Sequence, residues 1–256
     1  MSEQLLYDQR AEEWNNTRDL PWNKIRYELT NYFIKKHIPE NTKDILEIGC
    51  GNGIESLMLY QESYNFTLSD YSIEMIEQAK QLFSHNNIES NIEFIHSDVE
   101  NLSEKITEKY NVILFNNVLE YLDNPAQIIA TIYELLKPNG IIVIRHINRF
   151  TNVYMPAIYN NDLDKSIEYL NSGIMDSTFG RKITTYSKDE ILLMIEKAKF
   201  SKSNYYGLMS LTGFIPNNEI KYDIEFYNKL KKIEIEMADK FPYYDIARFG
   251  LAIANK

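Results

Sequence analysis

Ten consecutive residues, Asp44-Ile45-Leu46-Glu47-Ile48-Gly49-Cys50-Gly51-Asn52-Gly53, constrain this chain more than any other stretch. Ile45, Leu46 and Ile48 suit a short buried strand. The alternate glycines then let the backbone turn sharply and approach a ligand, because no Cβ obstructs either move. Ile54-Glu55-Ser56-Leu57-Met58-Leu59 suits the start of a helix. A strand, a glycine turn and a helix in this order mark a nucleotide-type cofactor site. A dinucleotide fingerprint reads G-x-G-x-x-G and seats a pyrophosphate on the helix N-terminus. Here the third glycine comes one residue earlier, and Glu47 stands two residues before the first. A carboxylate there would repel a pyrophosphate, yet it can accept hydrogen bonds from a cationic amino group.

From Asp44 onward the chain alternates strand-like and helix-like segments, which predicts a parallel sheet covered on both faces. Strands are expected at 44–48, 66–69, 92–96, 111–115, 141–144 and 249–254. Helices are expected near 54–61, from the Ser72 cap to about Phe83, from Pro125 to the Lys137-Pro138-Asn139-Gly140 turn, and from Ser187. The rhythm breaks over 148–186, which shows no clean strand and many tyrosines and asparagines. It breaks again over 207–243, which contains a charged helix-like segment at 221–240. Segments this long inside a compact fold are usually lids or binding elements. Residues 1–43 form a polar lead-in with apolar contacts from Trp14, Trp22 and the Tyr27–Phe33 run. The expected organisation is a single domain over 1–256, with a cofactor core at 44–147 and acceptor insertions at 148–186 and 207–243.

Composition narrows the class. Hydrophobic residues make up 44% and charged residues 25% of 256, as in ordinary globular proteins. No stretch approaches the run of about 20 apolar residues that spans a bilayer, and Met1-Ser2-Glu3-Gln4 does not begin a secretory signal. No membrane partner is expected. The lone Cys50 rules out an internal disulfide and points to a reducing, cytoplasmic setting, and its place between two glycines reads as a small residue filling a tight turn. A net charge of −10 argues against broad attraction to nucleic acid. His37, His85, His96 and His146 are scattered, so no metal site is expected.

In an open parallel sheet, ligands sit beyond the carboxyl ends of the strands. Asp70 ends the second strand, where a carboxylate can accept both hydroxyls of a ribose, and Tyr71 follows it into the same site. Together with Glu47, Gly49, Cys50, Gly51 and Gly53, this pattern resembles motif I and its sequel in class I S-adenosylmethionine-dependent methyltransferases. The resemblance implies a Rossmann-like seven-stranded, mostly parallel sheet with helices on both faces and helical or irregular lids. It implies S-adenosylmethionine as cofactor, with Glu47 near its methionyl part. It also places Asp98 on the adenine amino group, Val99 on the adenine face and Asn116 beside the methionyl moiety and sulfonium. The segment Asn116-Asn117-Val118-Leu119-Glu120-Tyr121 is similar to the post-strand segment of these enzymes. Lys137-Pro138-Asn139-Gly140 is similar to their L-K-P-G-G turn, with an asparagine that tolerates left-handed backbone.

The chain ends also look like the bacterial methyltransferases that esterify 5-carboxymethoxyuridine in tRNA. That likeness rests on Leu114 through Tyr121, on Phe241-Pro242-Tyr243 and on Ala247-Arg248-Phe249. It implies that Arg26 meets the cofactor carboxylate. Asn116 departs from that family's histidine, and 150–185 lacks obvious matching basic residues. On the acceptor side His146 has the pKa range of a general base and is the candidate catalytic residue. Arg149, Tyr154, Tyr159, Arg181, Tyr206 and Arg248 are further acceptor candidates. The leading expectation is methyl transfer to an O or N nucleophile of a small-molecule or peptide-like acceptor, and a tRNA wobble uridine is the alternative. A binding protein without turnover and a nicotinamide oxidoreductase are the readings from other classes.

Overall fold

The computed structural model describes residue 17, residues 19–177 and residues 180–256. Trp14 and the first four residues, which the sequence reading used, lie outside the described residues. A long helix α1 (Pro21–His37) leads into β1 (Asp44–Ile48), α2 (Ile54–Leu59), β2 (Asn65–Asp70), α3 (Ile73–His85) and β3 (Ile92–His96). Then come α4 (Leu102–Lys105), β4 (Tyr110–Asn116), α5 (Pro125–Leu135) and β5 (Leu136–Ile147). The strands form one seven-stranded sheet in the order β3-β2-β1-β4-β5-β9-β8, where β8 is Ser203–Leu208 and β9 is Phe249–Asn255. Strands β1 to β5 run parallel, and β9 runs antiparallel between β5 and β8. This is the Rossmann-like α/β architecture expected, with helices on both faces.

The central strands are apolar on both sides because both faces are covered. Alternate residues of one strand enter different cores, as the pleat requires. Ile45, Val112, Leu114, Ile141 and Val143 pack with α1, α2, α3 and α9 (Ile224–Met237). Leu46, Ile113, Phe115, Ile142 and Ile144 pack with α5 and α8 (Lys188–Lys197). Local signals fix the ends. The Ser72 hydroxyl accepts from the Met75 N–H at 3.2 Å to cap α3, and Ser187 and Glu190 form a capping box on α8.

Three expectations need correction. The segment 148–186 is not strandless: after α6 (Tyr154–Asn160) and α7 (Leu163–Ser172) it carries a hairpin of β6 (Ile174–Asp176) with β7 (Lys182–Thr184). Strands of three residues are too short to display an alternation. The seventh strand, β8, had no predicted range, since Ser203 and Asn204 are polar and Gly207 interrupts its apolar end. The Lys137–Gly140 turn lies inside β5, with Asn139 at φ 63° and a register shift between Tyr110 and Val112.

Candidate active site

The glycine turn is shaped by backbone that other residues resist. Gly49, Gly51 and Gly53 have φ of 69°, 53° and 77°, in the left-handed region that L side chains rarely adopt. A Cβ at Gly49 would collide with Val118. The Gly51 N–H donates to Asp70 Oδ2 at 2.8 Å, and the Cys50 N–H donates to the Ser69 carbonyl at 2.9 Å. The turn is thereby clipped to the end of β2. Asp70 Oδ1 accepts from the Ser72 N–H at 2.9 Å. Burial raises the Asp70 pKa, and these backbone donors oppose the rise. Cys50 is buried, and that burial pushes its thiol well above the ordinary range, as a packed residue rather than a nucleophile requires.

Beneath the turn lies a buried charged network. Glu55 pairs with Arg145, both nearly inaccessible. Asn116 Nδ2 donates to Glu55 Oε2 at 2.6 Å, and Asn116 Oδ1 accepts from the Arg145 N–H at 3.1 Å. Arg145 also donates to Asn117 Oδ1 at 2.8 Å and to the Thr30 hydroxyl at 3.0 Å. Glu47 accepts from the Ser56 hydroxyl at 2.5 Å. Burial first, and the neighbouring Glu55 second, push the Glu47 carboxyl up to about 8. A cation arriving in front of it would restore the carboxylate. Arg145, Glu55 and Thr30 were missed in the sequence. A charge interrupting the Ile141–Ile144 run was the available signal for Arg145.

These groups face a single cavity of about 1130 Å³ beyond the carboxyl ends of β1, β2 and β4. The structure brings Arg26, Glu47, Gly49, Cys50, Gly51, Asp70, Tyr71, Asp98, Val99 and Asn116 to its wall. Gly53 stands behind them, packed against Leu68, Phe83 and Ala79. Asp98 holds Asn101 with both oxygens, at 2.8 Å each. Arg26 Nη2 donates to the Tyr27 hydroxyl at 2.7 Å, while Arg26 Nε is buried without a partner among the described residues.

The opposite wall comes from the insertions. Tyr159 of α6, Tyr169 of α7, Arg181, Met155, Met175 and Met209 line it, together with Tyr121, Arg248 and Phe249. Tyr159 donates to the Gly213 carbonyl at 3.1 Å. Arg181 lies over the Tyr121 ring at 5.6 Å. Glu234 of α9 fixes the next turn, accepting from the N–H groups of Ser210, Leu211 and Thr212 at 2.7, 2.9 and 2.7 Å.

Four expected residues are elsewhere. His146 is fully buried off the cavity, with Nε2 3.0 Å from the Tyr205 hydroxyl and Nδ1 3.1 Å from the Ile147 carbonyl. Burial pushes its pKa down to about 4, so it is a neutral packing group beside β9. A Cβ on Gly250 would collide with both rings. Tyr206 stacks on Phe33 at 4.1 Å. Arg149 donates to the Thr185 carbonyl and pairs with Glu190 at 3.0 Å, and Tyr154 packs edge-on against Phe214. Glu120 is also structural: it accepts from the Ile147 N–H at 2.6 Å, and burial pushes it up to about 7.

A sheet of this order with its cavity at the strand ends defines a class I methyltransferase fold. The family model described as a methyltransferase domain matches residues 39–209, and the chain belongs to that family of S-adenosylmethionine-dependent enzymes. A tRNA 5-carboxymethoxyuridine methyltransferase of Escherichia coli K12 is 22% identical over 214 residues, which cover 83% of this chain and 79% of that one. A Thermotoga maritima structure described as an S-adenosylmethionine-dependent methyltransferase, possible histamine N-methyltransferase, aligns over 99% of both chains with TM-score 0.66 and 14% identity. The plantazolicin methyltransferase BamL, solved with a triazolic desmethylPZN analog and S-adenosylhomocysteine, aligns over 99% of this chain and 93% of that one, with TM-score 0.59 and 18% identity. The residues present fit the donor: an ammonium would find the Glu47 carboxylate on the cavity wall, and an anion would find Arg26 Nε, which has no hydrogen-bond partner among the described residues. Among the described residues no helix is long and apolar enough to cross a membrane.

Proposed function

We propose that this enzyme methylates an oxygen or nitrogen of a small or peptide-like metabolite held beside the donor. The carrying observation is the cavity itself. At about 1130 Å³ it exceeds the usual range for one ligand, about 300–1,000 Å³, and the half away from the glycine turn is walled by tyrosine and methionine.

Glu47 takes the donor's ammonium, Arg26 its carboxylate and Asp70 its ribose hydroxyls. Asp98 and Val99 meet the adenine. Asn116, locked by Glu55 and Arg145, fixes the floor under the reacting centre. The bound donor supplies a methyl group already activated on a sulfonium. The protein's task is therefore alignment, which can supply about 7–11 kcal/mol of the barrier. None of the four histidines lines the cavity. The acceptor accordingly arrives with a lone pair already available, or gives its proton to water or to a wall tyrosine or carboxylate. The insertions 148–186 and 207–243 belong to one domain with the core, and the enzyme works in the cytoplasm.

Calorimetric titration with S-adenosylmethionine tests the donor assignment, and absence of binding would end it. Transfer of a tritiated methyl group into a cell metabolite extract tests the acceptor class. A second reading keeps the donor and makes a tRNA wobble uridine the acceptor. It draws support from likeness to the E. coli enzyme over 83% of the chain, while the net charge of −10 stands against it. Nucleoside mass spectrometry of tRNA incubated with enzyme and donor separates the two, since label confined to the metabolite extract excludes tRNA.

A further inference from the structure

Arg248, a charge in the cavity wall, meets no counter-ion among the described residues. Arg248 immediately precedes β9, with its guanidinium 5.9 Å from the Phe249 ring. Its Nη1 is buried and has no hydrogen-bond partner. No carboxylate among the described residues pairs with it, whereas the more deeply buried Arg145 is met by Glu55. Arginine does not shed its proton to escape burial. Desolvation lowers the Arg248 pKa, Tyr159 opposes that, and Arg26 adds repulsion. An uncompensated guanidinium in such surroundings is unfavourable until an anion reaches it.

Arg26 and Arg248 flank the same Phe249 ring, Arg26 at 5.3 Å. Each has one buried N–H without a partner. The donor brings one carboxylate, which Arg26 receives in the reading above. Arg248 belongs to the other side: its neighbours are Tyr159 of α6 and the Thr212-Gly213 turn, both part of the insertion wall. A guanidinium set among aromatic rings matches a planar carboxylate, which its fork can meet at two points.

We propose that Arg248 anchors a carboxylate on the methyl acceptor, so that the substrate is a small, aromatic-compatible carboxylic acid rather than an amine or neutral molecule. This rests on the donor assignment above. Tyr159 frames the anchor from the lid side, and the donor and acceptor anions are received by different guanidiniums, Arg26 and Arg248.

The test uses the full chain saturated with S-adenosylhomocysteine. Benzoate, phenylacetate and 4-hydroxyphenylacetate are titrated against their amides by calorimetry and ligand-observed NMR. The wild type should prefer at least one carboxylate over its amide by about tenfold or more. Arg248→Met should abolish that preference and Arg248→Lys should keep part of it, with S-adenosylhomocysteine affinity unchanged in both. Without ligand, Arg248→Met should melt higher than wild type, because an unpaired buried charge has gone. That donor affinity also reports whether each variant folds. No carboxylate preference in the wild type, including failure of every probe to bind, overturns the proposal. So does tighter binding of phenylphosphonate than of benzoate. A tenfold loss of S-adenosylhomocysteine affinity in Arg248→Lys would instead assign the guanidinium to the donor and overturn it as well. Failure of the wild type to bind S-adenosylhomocysteine rejects the donor reading itself, which is a separate result.

Discussion

On the donor side of the cavity, Glu47, Asp70, Asp98 and Asn116 are each held by hydrogen bonds to nearby groups before any ligand arrives. Each side keeps one arginine N–H without a partner among the described residues, Arg26 toward the donor and Arg248 toward the acceptor, but the acceptor wall draws its tyrosines and methionines largely from separate insertions. The donor half is therefore a fixed mould for one molecule. In the reading proposed above, the acceptor half is a lining from several insertions whose arginine is matched by the acceptor. A fold that always meets the same donor can pre-organise that site, while acceptors differ and their wall is built from loops.

The largest effect that would break this contrast lies in the mould. Gly49→Val places a side chain against Val118 in left-handed backbone, and S-adenosylhomocysteine affinity should fall by about a hundredfold or more in calorimetry. Retention of near-normal affinity would show that the turn is not a rigid cradle. Next, Arg145→Met strands the buried Glu55 carboxylate. Breaking such a pair costs about 3–5 kcal/mol, so the melting temperature should drop by about 10 °C. Adding Glu55→Gln should recover part of that loss.

The legibility of the two halves differs for the same reason. Glu47, Gly49, Gly51 and Asp70 lie at the ends of neighbouring strands, within a few residues of recognisable turns, so local pattern and site geometry coincide. Arg145 escaped notice because a strand of Ile141 to Ile144 reads as simply buried, and its partner Glu55 lies far away in sequence. His146 was misread because the strand's end was known but not which face its ring would take. It faces Tyr205 and β9 rather than the cavity. On the acceptor side, the three-residue strands left no alternation, and the helically spaced Leu163, Ile167 and Leu170 of α7 are exposed rather than buried in a core. Which tyrosines reach the cavity depends on how α6 and α7 pack.

Asp70→Asn should weaken S-adenosylhomocysteine binding by about tenfold, since one charged acceptor to the ribose and the clip on the Gly51 N–H weaken together. A smaller effect is the response to pH. Glu47, pushed up to about 8, and Glu120, pushed up to about 7, keep protons in the folded protein that the unfolded chain has lost. Their contribution to stability therefore declines as pH rises through those values. His146, pushed down from 6.5 to about 4, works in the opposite sense, gaining stability as pH rises between those limits. Between about 4.5 and 6.5 the two raised carboxyls outweigh His146, so these three groups should make ligand-free protein melt lower as pH rises from about 4.5 toward 8, most steeply between 6.5 and 7. Glu47→Gln should flatten the decline from 7 to 8. S-Adenosylhomocysteine should flatten it too, because its ammonium restores the carboxylate. The smallest effect is expected for His146→Gln, which should lower the melting temperature by a few degrees and leave donor affinity within about twofold. A collapse of donor affinity there would erase the boundary between wall and core.

Strand β9 enters the sheet between β5 and β8, and the residues at its start, Arg248 and Phe249, also line the cavity. The strand of the sheet made last is therefore both its missing rung and part of its binding site. During synthesis, β5 and β8 must wait with open edges until β9 emerges. A polypeptide interrupted before Arg248 leaves the facing edges of β5 and β8 unpaired and lacks two residues of the cavity wall.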